Sequence, residues 1–126
     1  MERIYDYDQL WLFTKNVFIS IGCSDEHAML AATSLLRADL RGIDSHGIAR
    51  LIGYVRLWEA KRANSKPDIQ IVHETLSTAV VDGDSGLGLV VAPYAMDIAI
   101  SKAKNVGTGW IAVRNSNHFG IAANMP

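Results

Sequence analysis

Apolar residues recur every three or four positions through the first half of the chain, then shift to short blocks broken by glycine-rich turns. Leu10, Phe13, Val17 and Ile21 fall at helical spacing, and Trp11, Leu12, Phe18 and Ile19 broaden the stripe. The pattern predicts a helix over about 9–21, buried on more than one side, with Asp8 as N-cap and Gly22 as its stop. Ser24 opens a second helix with Asp25 and Glu26 in its first turn, which suits the positive end of the dipole. Ala28, Ala31, Ala32, Leu35 and Leu36 form its packing face, Arg41 lies in its last turn and Gly42 ends it. Asp44 or Ser45 is expected to cap a third helix running to Ala60 or Lys61. Its stripe is Ile48, Leu51, Ile52, Val55 and Trp58. At about 100° per residue that stripe centres opposite His46, so His46, Arg50 and Leu57 share the other side.

A polar linker, Arg62 to Asp68, contains Pro67. Ile69–His73 and Ala79–Val81 read as short strands of an antiparallel hairpin joined by Glu74–Ser77. Asp82–Gly86 reads as a turn. A fourth helix is expected over about 90–104, with Met96, Ala99, Ile100 and Ala103 on one face and Pro93 confined to the first turn. Val106–Gly109 breaks it. Trp110–Val113 is expected to be a buried strand, with Arg114–Gly120 the loop that it delivers.

At 126 residues, 49% hydrophobic and 20% charged, the composition is that of a globular domain with a real core. A formal net charge of -1 gives no reason to expect nucleic acid or an anionic membrane as partner. The longest apolar runs fall far short of the roughly 20 residues a membrane span needs, and the first residues lack the apolar stretch of a signal peptide. The single cysteine, Cys23, has no internal disulfide partner and fits a reducing compartment.

The densest chemistry lies in Arg41-Gly-Ile-Asp-Ser-His-Gly-Ile-Ala-Arg50. His46 reads either as a capping or solvated polar residue or as a proton donor near neutral pH. On a helix, residues four apart have Cβ atoms roughly 5–6 Å apart, so Arg50 would stand beside His46. Reduction of a 2-oxo acid needs a proton donor at the carbonyl and a cation for the carboxylate, and histidine and arginine supply them. Free N–H groups at the helix start would add anion affinity, and Gly47 would keep the approach open. Ser45 reads as the N-cap, or as a partner of His46. A serine-hydrolase arrangement is not expected, because adjacent residues do not give the nucleophile–base geometry. His118, in Asn115-Ser-Asn-His-Phe-Gly120, follows a strand end, where loops often carry function; otherwise it is an exposed turn residue. Gly120 would let backbone approach a cofactor.

Other motifs fail. Asp82-Gly-Asp-Ser-Gly86 lacks the glutamate of a calcium loop, since Pro93 stands at position 12. Gly86-Leu-Gly88 does not complete a dinucleotide-binding fingerprint, since Val91 stands at the third glycine. His27 and His73 have no evident partners, and scattered histidines with one cysteine do not make a metal site by spacing.

Three stretches in order, Arg41–Arg50, Asp82-Gly-Asp-Ser-Gly-Leu-Gly88 and Val113-Arg-Asn-Ser-Asn-His-Phe-Gly-Ile-Ala122, resemble the malate/L-lactate dehydrogenase family of the non-Rossmann type. That family includes sulfolactate, ureidoglycolate and 2,3-diketogulonate reductases and cyclic-imine carboxylate reductases. The resemblance covers nearly the whole chain and implies an α+β fold. Residues 1–66 would form an N-terminal helical domain carrying the Asp-Ser-His-Gly motif, and 67–126 the beginning of a mixed α/β, non-Rossmann NAD(P)-binding domain. It implies hydride transfer between NAD or NADP and a 2-oxo/2-hydroxy acid or related C=N substrate. His46 would be the general acid/base with Ser45 beside it, and Arg50 the carboxylate clamp. His118, Phe119, Gly120, Ile121 and Ala122 would face the nicotinamide, with His118 the alternative acid/base. It further implies a cytoplasmic homodimer with sites completed across subunits. Family members continue past His-Phe-Gly with a Gly-Tyr-Tyr-like run, from which Ala123-Asn-Met-Pro126 departs. The chain is therefore expected to be the N-terminal portion of such an enzyme (a fragment, early stop or frameshift product), with a catalytically silent oligomerisation module as the alternative. Neither NAD against NADP nor the particular acid is legible.

Overall fold

Two helices form the base on which the rest is built. The computed structural model describes residues 3–122; the departure expected at 123–126 lies outside them. Helix α1, Tyr7–Ser20, is capped by Asp6, whose side chain accepts from the Gln9 N–H, two residues before the expected cap. Its buried face is Thr14 and Phe18, flanked by Leu10, Trp11 and Val17, while Leu12 and Phe13 are more than half exposed. The expected burial on several sides is thus corrected to one. Thr14 can replace an apolar residue there because its hydroxyl donates to the Leu10 carbonyl at 2.7 Å. Helix α2, Asp25–Leu40, matches expectation: Ser24 caps it, the alanine-rich face is buried, and Gly42 follows at φ 70°.

Two 3₁₀ turns, Asp44–His46 and Ile48–Arg50, precede a nine-residue helix α3, Leu51–Glu59. The continuous third helix expected from Asp44 therefore does not form. Its buried face is Leu51 and Tyr54, with Val55 and Leu57 packed beside them, while Ile52 and Trp58 are exposed. Leu57, expected on the open side, faces the core.

Strands β1, Gln70–Glu74, and β2, Thr78–Gly86, pair antiparallel as predicted. The 82–86 stretch is not a free turn but the kinked end of β2, with Asp84 and Ser85 at φ 48° and 57°. Helix α4, Gly88–Val106, starts earlier than expected, which puts Pro93 in the second turn rather than the first. Gly107 ends it in the left-handed region. Strand β3, Trp110–Ser116, runs parallel to β2 and completes a three-stranded sheet of order β1-β2-β3. β3 is not buried: Trp110 is 76% and Val113 41% exposed, because β3 is an edge strand. It also runs further than expected, to Ser116.

One hydrophobic cluster joins Phe18, Ala31, Leu35, Leu36, Leu51 and Tyr54 to Leu87, Leu89 and Val90, drawing on both sides of residue 66. A smaller one sets Val81 of β2 against Val91 and Ala95 of α4. Among the described residues no helix is long and apolar enough to cross a membrane.

Candidate active site

The segment after α2 is fastened from behind. Asp39, in the last turn of α2, accepts the Ile48 N–H at 2.8 Å. Its carboxylate lies against Gly47, where an added Cβ would come within 1.9 Å of it. The absence of a side chain at Gly47 thus makes room for the Asp39 carboxylate. Burial pushes the Asp39 carboxyl up, against the Ile48 N–H that pulls it down, and Asp44 adds to the rise. An acid at a helix C-terminus opposes the dipole, and that misplacement is the sequence signal that reading by periodicity passed over.

Four of the N–H groups at this helix start are already used. Those of His46, Gly47 and Arg50 donate to Ile43, Asp44 and Gly47 carbonyls, and that of Ile48 to Asp39. Ser45 makes no capping bond; its Oγ is instead 2.9 Å from His46 Nδ1. Of the two readings of Ser45, the structure shows the contact with His46 rather than the N-cap. Arg50 Nε donates to the Ser45 carbonyl at 2.8 Å. His46 and Arg50 are therefore linked through this turn rather than by helical phase.

A second arm comes from β3. Asp82 accepts from Arg114 Nε and Asn115 Nδ2, both at 2.9 Å, and from the Asp84 N–H. The Asp84 N–H, then Arg114 and Asn115, hold its carboxyl below the usual range. Asn117 Nδ2 donates to the Ser85 carbonyl at 2.8 Å and to the Gly86 carbonyl at 3.1 Å. Gly88 lets the loop pass: a Cβ there would lie 2.1 Å from the Asn117 carbonyl oxygen. The Asp82–Gly88 stretch is thus the seat of the His118 loop.

The two arms meet. The rings of His46 and His118 lie 5.4 Å apart, centroid to centroid. Tyr54, 3% exposed, places its hydroxyl 3.0 Å from His118 Nδ1. Sequence reasoning missed Tyr54; its position three residues after Leu51 on the core side, with a hydroxyl to satisfy, was the available signal. His118 and Phe119 rings stack at 6.2 Å and 17°. Burial first, then Arg50 and His46, pull the His118 pKa below 6.5.

That shift has a sign. A histidine whose pKa falls on folding binds its proton less readily than in the unfolded chain, so its contribution to stability is lost as pH drops below 6.5. Arg50, His46 and Tyr54 are the groups that face it. The melting temperature of His118→Gln is expected to fall less steeply than that of wild type between neutral and acidic pH. Parallel curves would sink this assignment.

A hollow of about 960 Å³ lies away from the histidines, between the β1–β2 turn and the far end of α4. A groove of about 670 Å³ between α4 and β3 is lined by Phe119 and Ala122 together with Met96, Trp110 and Val113. Of the residues expected against a cofactor, Phe119 and Ala122 reach it, Ile121 is buried, and the Gly120 N–H donates to His118 Nδ1 at 3.2 Å. An exposed aromatic face beside an apolar groove fits a nicotinamide ring. Among the described residues, this lining holds no lysine or arginine for a diphosphate.

Fold and site together define an α+β chain that gathers two histidines and an arginine from separate elements around a small, part-exposed place. The sequence profile of the malate/L-lactate dehydrogenase family matches residues 5–126, and the chain belongs to that family. It is 50% identical over 107 residues to the L-sulfolactate dehydrogenase of Methanocaldococcus jannaschii, covering 85% of this chain and 31% of that protein. It is 47% identical over 115 residues to the malate dehydrogenase of Pyrococcus abyssi, covering 91% and 32%. The solved sulfolactate dehydrogenase of M. jannaschii superposes with a TM-score of 0.93 at 46% identity, over 95% of this chain and 35% of that one. The chain thus spans about a third of the length of these curated relatives.

Proposed function

We propose that these residues serve an NAD(P)-dependent dehydrogenase that interconverts a 2-oxo acid and a 2-hydroxy acid. The observation that carries this reading is the meeting of His46 and His118 beside Arg50. It goes with a cytoplasmic homodimer, with 1–66 as the helical part and 67–126 as the beginning of the cofactor-binding part. Phe119 and Ala122 would hold the nicotinamide side of NAD or NADP, which when bound supplies or takes the hydride.

His46 moves the proton. A hydroxyl accepts as readily as it donates, so Nδ1–H can stay bonded to Ser45 Oγ before and after Nε2 gives up its proton. Nε2 then delivers to the carbonyl oxygen in reduction and receives from the hydroxyl in oxidation. His118 is differently placed. Its Nδ1 accepts from the Gly120 N–H, a donor that cannot reverse. A proton on Nδ1 would break that bond, so His118 stays neutral with its hydrogen on Nε2 and polarises rather than transfers. Arg50, its Nε spent on Ser45, keeps its two terminal nitrogens for the carboxylate.

The test is turnover of NADH or NADPH by the protein with a panel of 2-oxo acids. Turnover of none of them would sink the reading. Arg50→Gln is expected to raise KM about 10–100-fold for the acid, the worth of a charge-assisted pair, but to change little for the methyl ester of the same acid. Equal effects on both would remove Arg50 from the carboxylate.

A further inference from the structure

We infer that Tyr54 is a positioning residue that, together with the Gly120 N–H, holds the tautomer of His118 from inside the hydrophobic core. For its catalytic consequence, though not for its structural claim, this inference rests on the reading above.

Tyr54 belongs to the main core. It is 3% exposed, and its ring lies 6.2 Å from that of Phe18. A buried phenol needs a hydrogen-bond partner, and the partner found is His118 Nδ1, 64 positions along the chain. The same nitrogen takes the Gly120 N–H. A backbone N–H only donates, so Nδ1 offers its lone pair, and the neutral ring carries its hydrogen on Nε2. Tyr54 must then also donate. It keeps the proton to do so, since burial pushes its pKa to about 12 although Arg50 pulls the other way. Two donors on one lone pair, one anchored in the core and one in the loop, hold the ring by its inner nitrogen and aim Nε2–H away from the core.

Orientation follows from the same contacts. The described contacts of His118 with the first arm are Tyr54 of α3 and the His46 ring. His46 and His118 would repel each other if both were charged. A phenol donating to Nδ1 favours the neutral ring and so lets the two rings stand 5.4 Å apart.

The experiment uses Tyr54→Phe, which keeps the ring in the core and removes only the hydroxyl. The readout is the tautomer of His118, from two-bond proton–nitrogen correlations of the imidazole in the nitrogen-15-labelled protein, assigned with His118→Gln. Wild type is expected to show Nδ1 bare and Nε2 protonated. In Tyr54→Phe the ratio should fall about fivefold toward the Nδ1–H form, the equilibrium equivalent of one ordinary hydrogen bond. A wild-type ring carrying its hydrogen on Nδ1, or a ratio untouched by Tyr54→Phe, would overturn the inference. The wild-type spectrum alone decides the first point, should the variant prove unstable. None of these readouts needs turnover, so failure of the dehydrogenase reading would show separately. In the working enzyme, Tyr54→Phe should lower kcat severalfold with KM nearly unchanged, and a change confined to KM would count against a positioning role.

Discussion

His46→Ala is expected to lower kcat for the proposed 2-oxo acid reduction by about 10²–10⁴-fold, the range for loss of a positioned general acid, and to leave thermal unfolding close to wild type. Stability is spared because His46 belongs to neither hydrophobic cluster, and its contacts are Ser45 Oγ and the His118 ring. The rate should not be spared if, as proposed, Nε2 of His46 moves the proton while its other nitrogen faces a hydroxyl that serves either protonation state. His118→Ala should cost less, about tenfold, since a neutral Nε2–H contributes one hydrogen bond to the developing oxyanion. The comparison is kcat and KM for both variants against pH. In His118→Ala the pH limb belonging to the acid should remain; in His46→Ala it should vanish. The opposite order would give the proton to His118 and discard the argument from Gly120.

Both histidines were legible in the sequence as candidates, with His46 ahead of His118 only through the family resemblance; the contacts that tell the two rings apart were not. Both motifs announced themselves by local chemistry: a histidine between turn residues, an arginine nearby, glycines around them. What distinguishes the two rings is the second atom on each Nδ1, and those atoms belong to Ser45, Tyr54 and Gly120. Ser45 could be guessed as a neighbour. Tyr54 could not, because its hydroxyl meets His118 only after α3 and the β3 loop have docked.

Elements read well where their causes are local. The Ser24 cap, the alanine face of α2, the hairpin and the Gly107 stop all rest on residues within one turn of the feature. They failed where a distant residue decided. Periodicity from Ile48 to Trp58 is a sound helical pattern, yet the helix begins only at Leu51, because Asp39 captures the Ile48 N–H and holds Gly47 against α2. Phe13 reads as core, yet it is 56% exposed while Thr14 beside it is buried, its hydroxyl satisfied by the Leu10 carbonyl. Trp110 and Val113 look like a buried strand by composition, which says what a strand could pack against but not whether a neighbour is there.

Gly47→Ala should destabilise the protein by about 2–3 kcal/mol, the cost of a lost charge-assisted bond that leaves a backbone donor unpaired, and lower kcat about 100-fold by displacing the segment that carries His46. Gly47, at φ −89°, is outside the left-handed region that favours glycine, and the obstacle to a larger residue is space. The new Cβ would lie 1.9 Å from Asp39 Oδ1 and 2.5 Å from Oδ2. Either the Ser45–Arg50 segment lifts off α2, or Asp39 swings away and abandons the Ile48 N–H. Both loosen the turn that sets Ser45 against His46. The two causes are separable with Asp39→Ala, which removes the obstructing carboxylate and its bond together. Alone, Asp39→Ala should cost about as much as Gly47→Ala, because each ends the same contact. Adding Gly47→Ala to it should then cost little more, so the pair falls well short of additive. Denaturant midpoints of the four proteins measure this directly. Full additivity would mean that Gly47 and Asp39 act apart, and that something other than their contact holds the His46 segment in place.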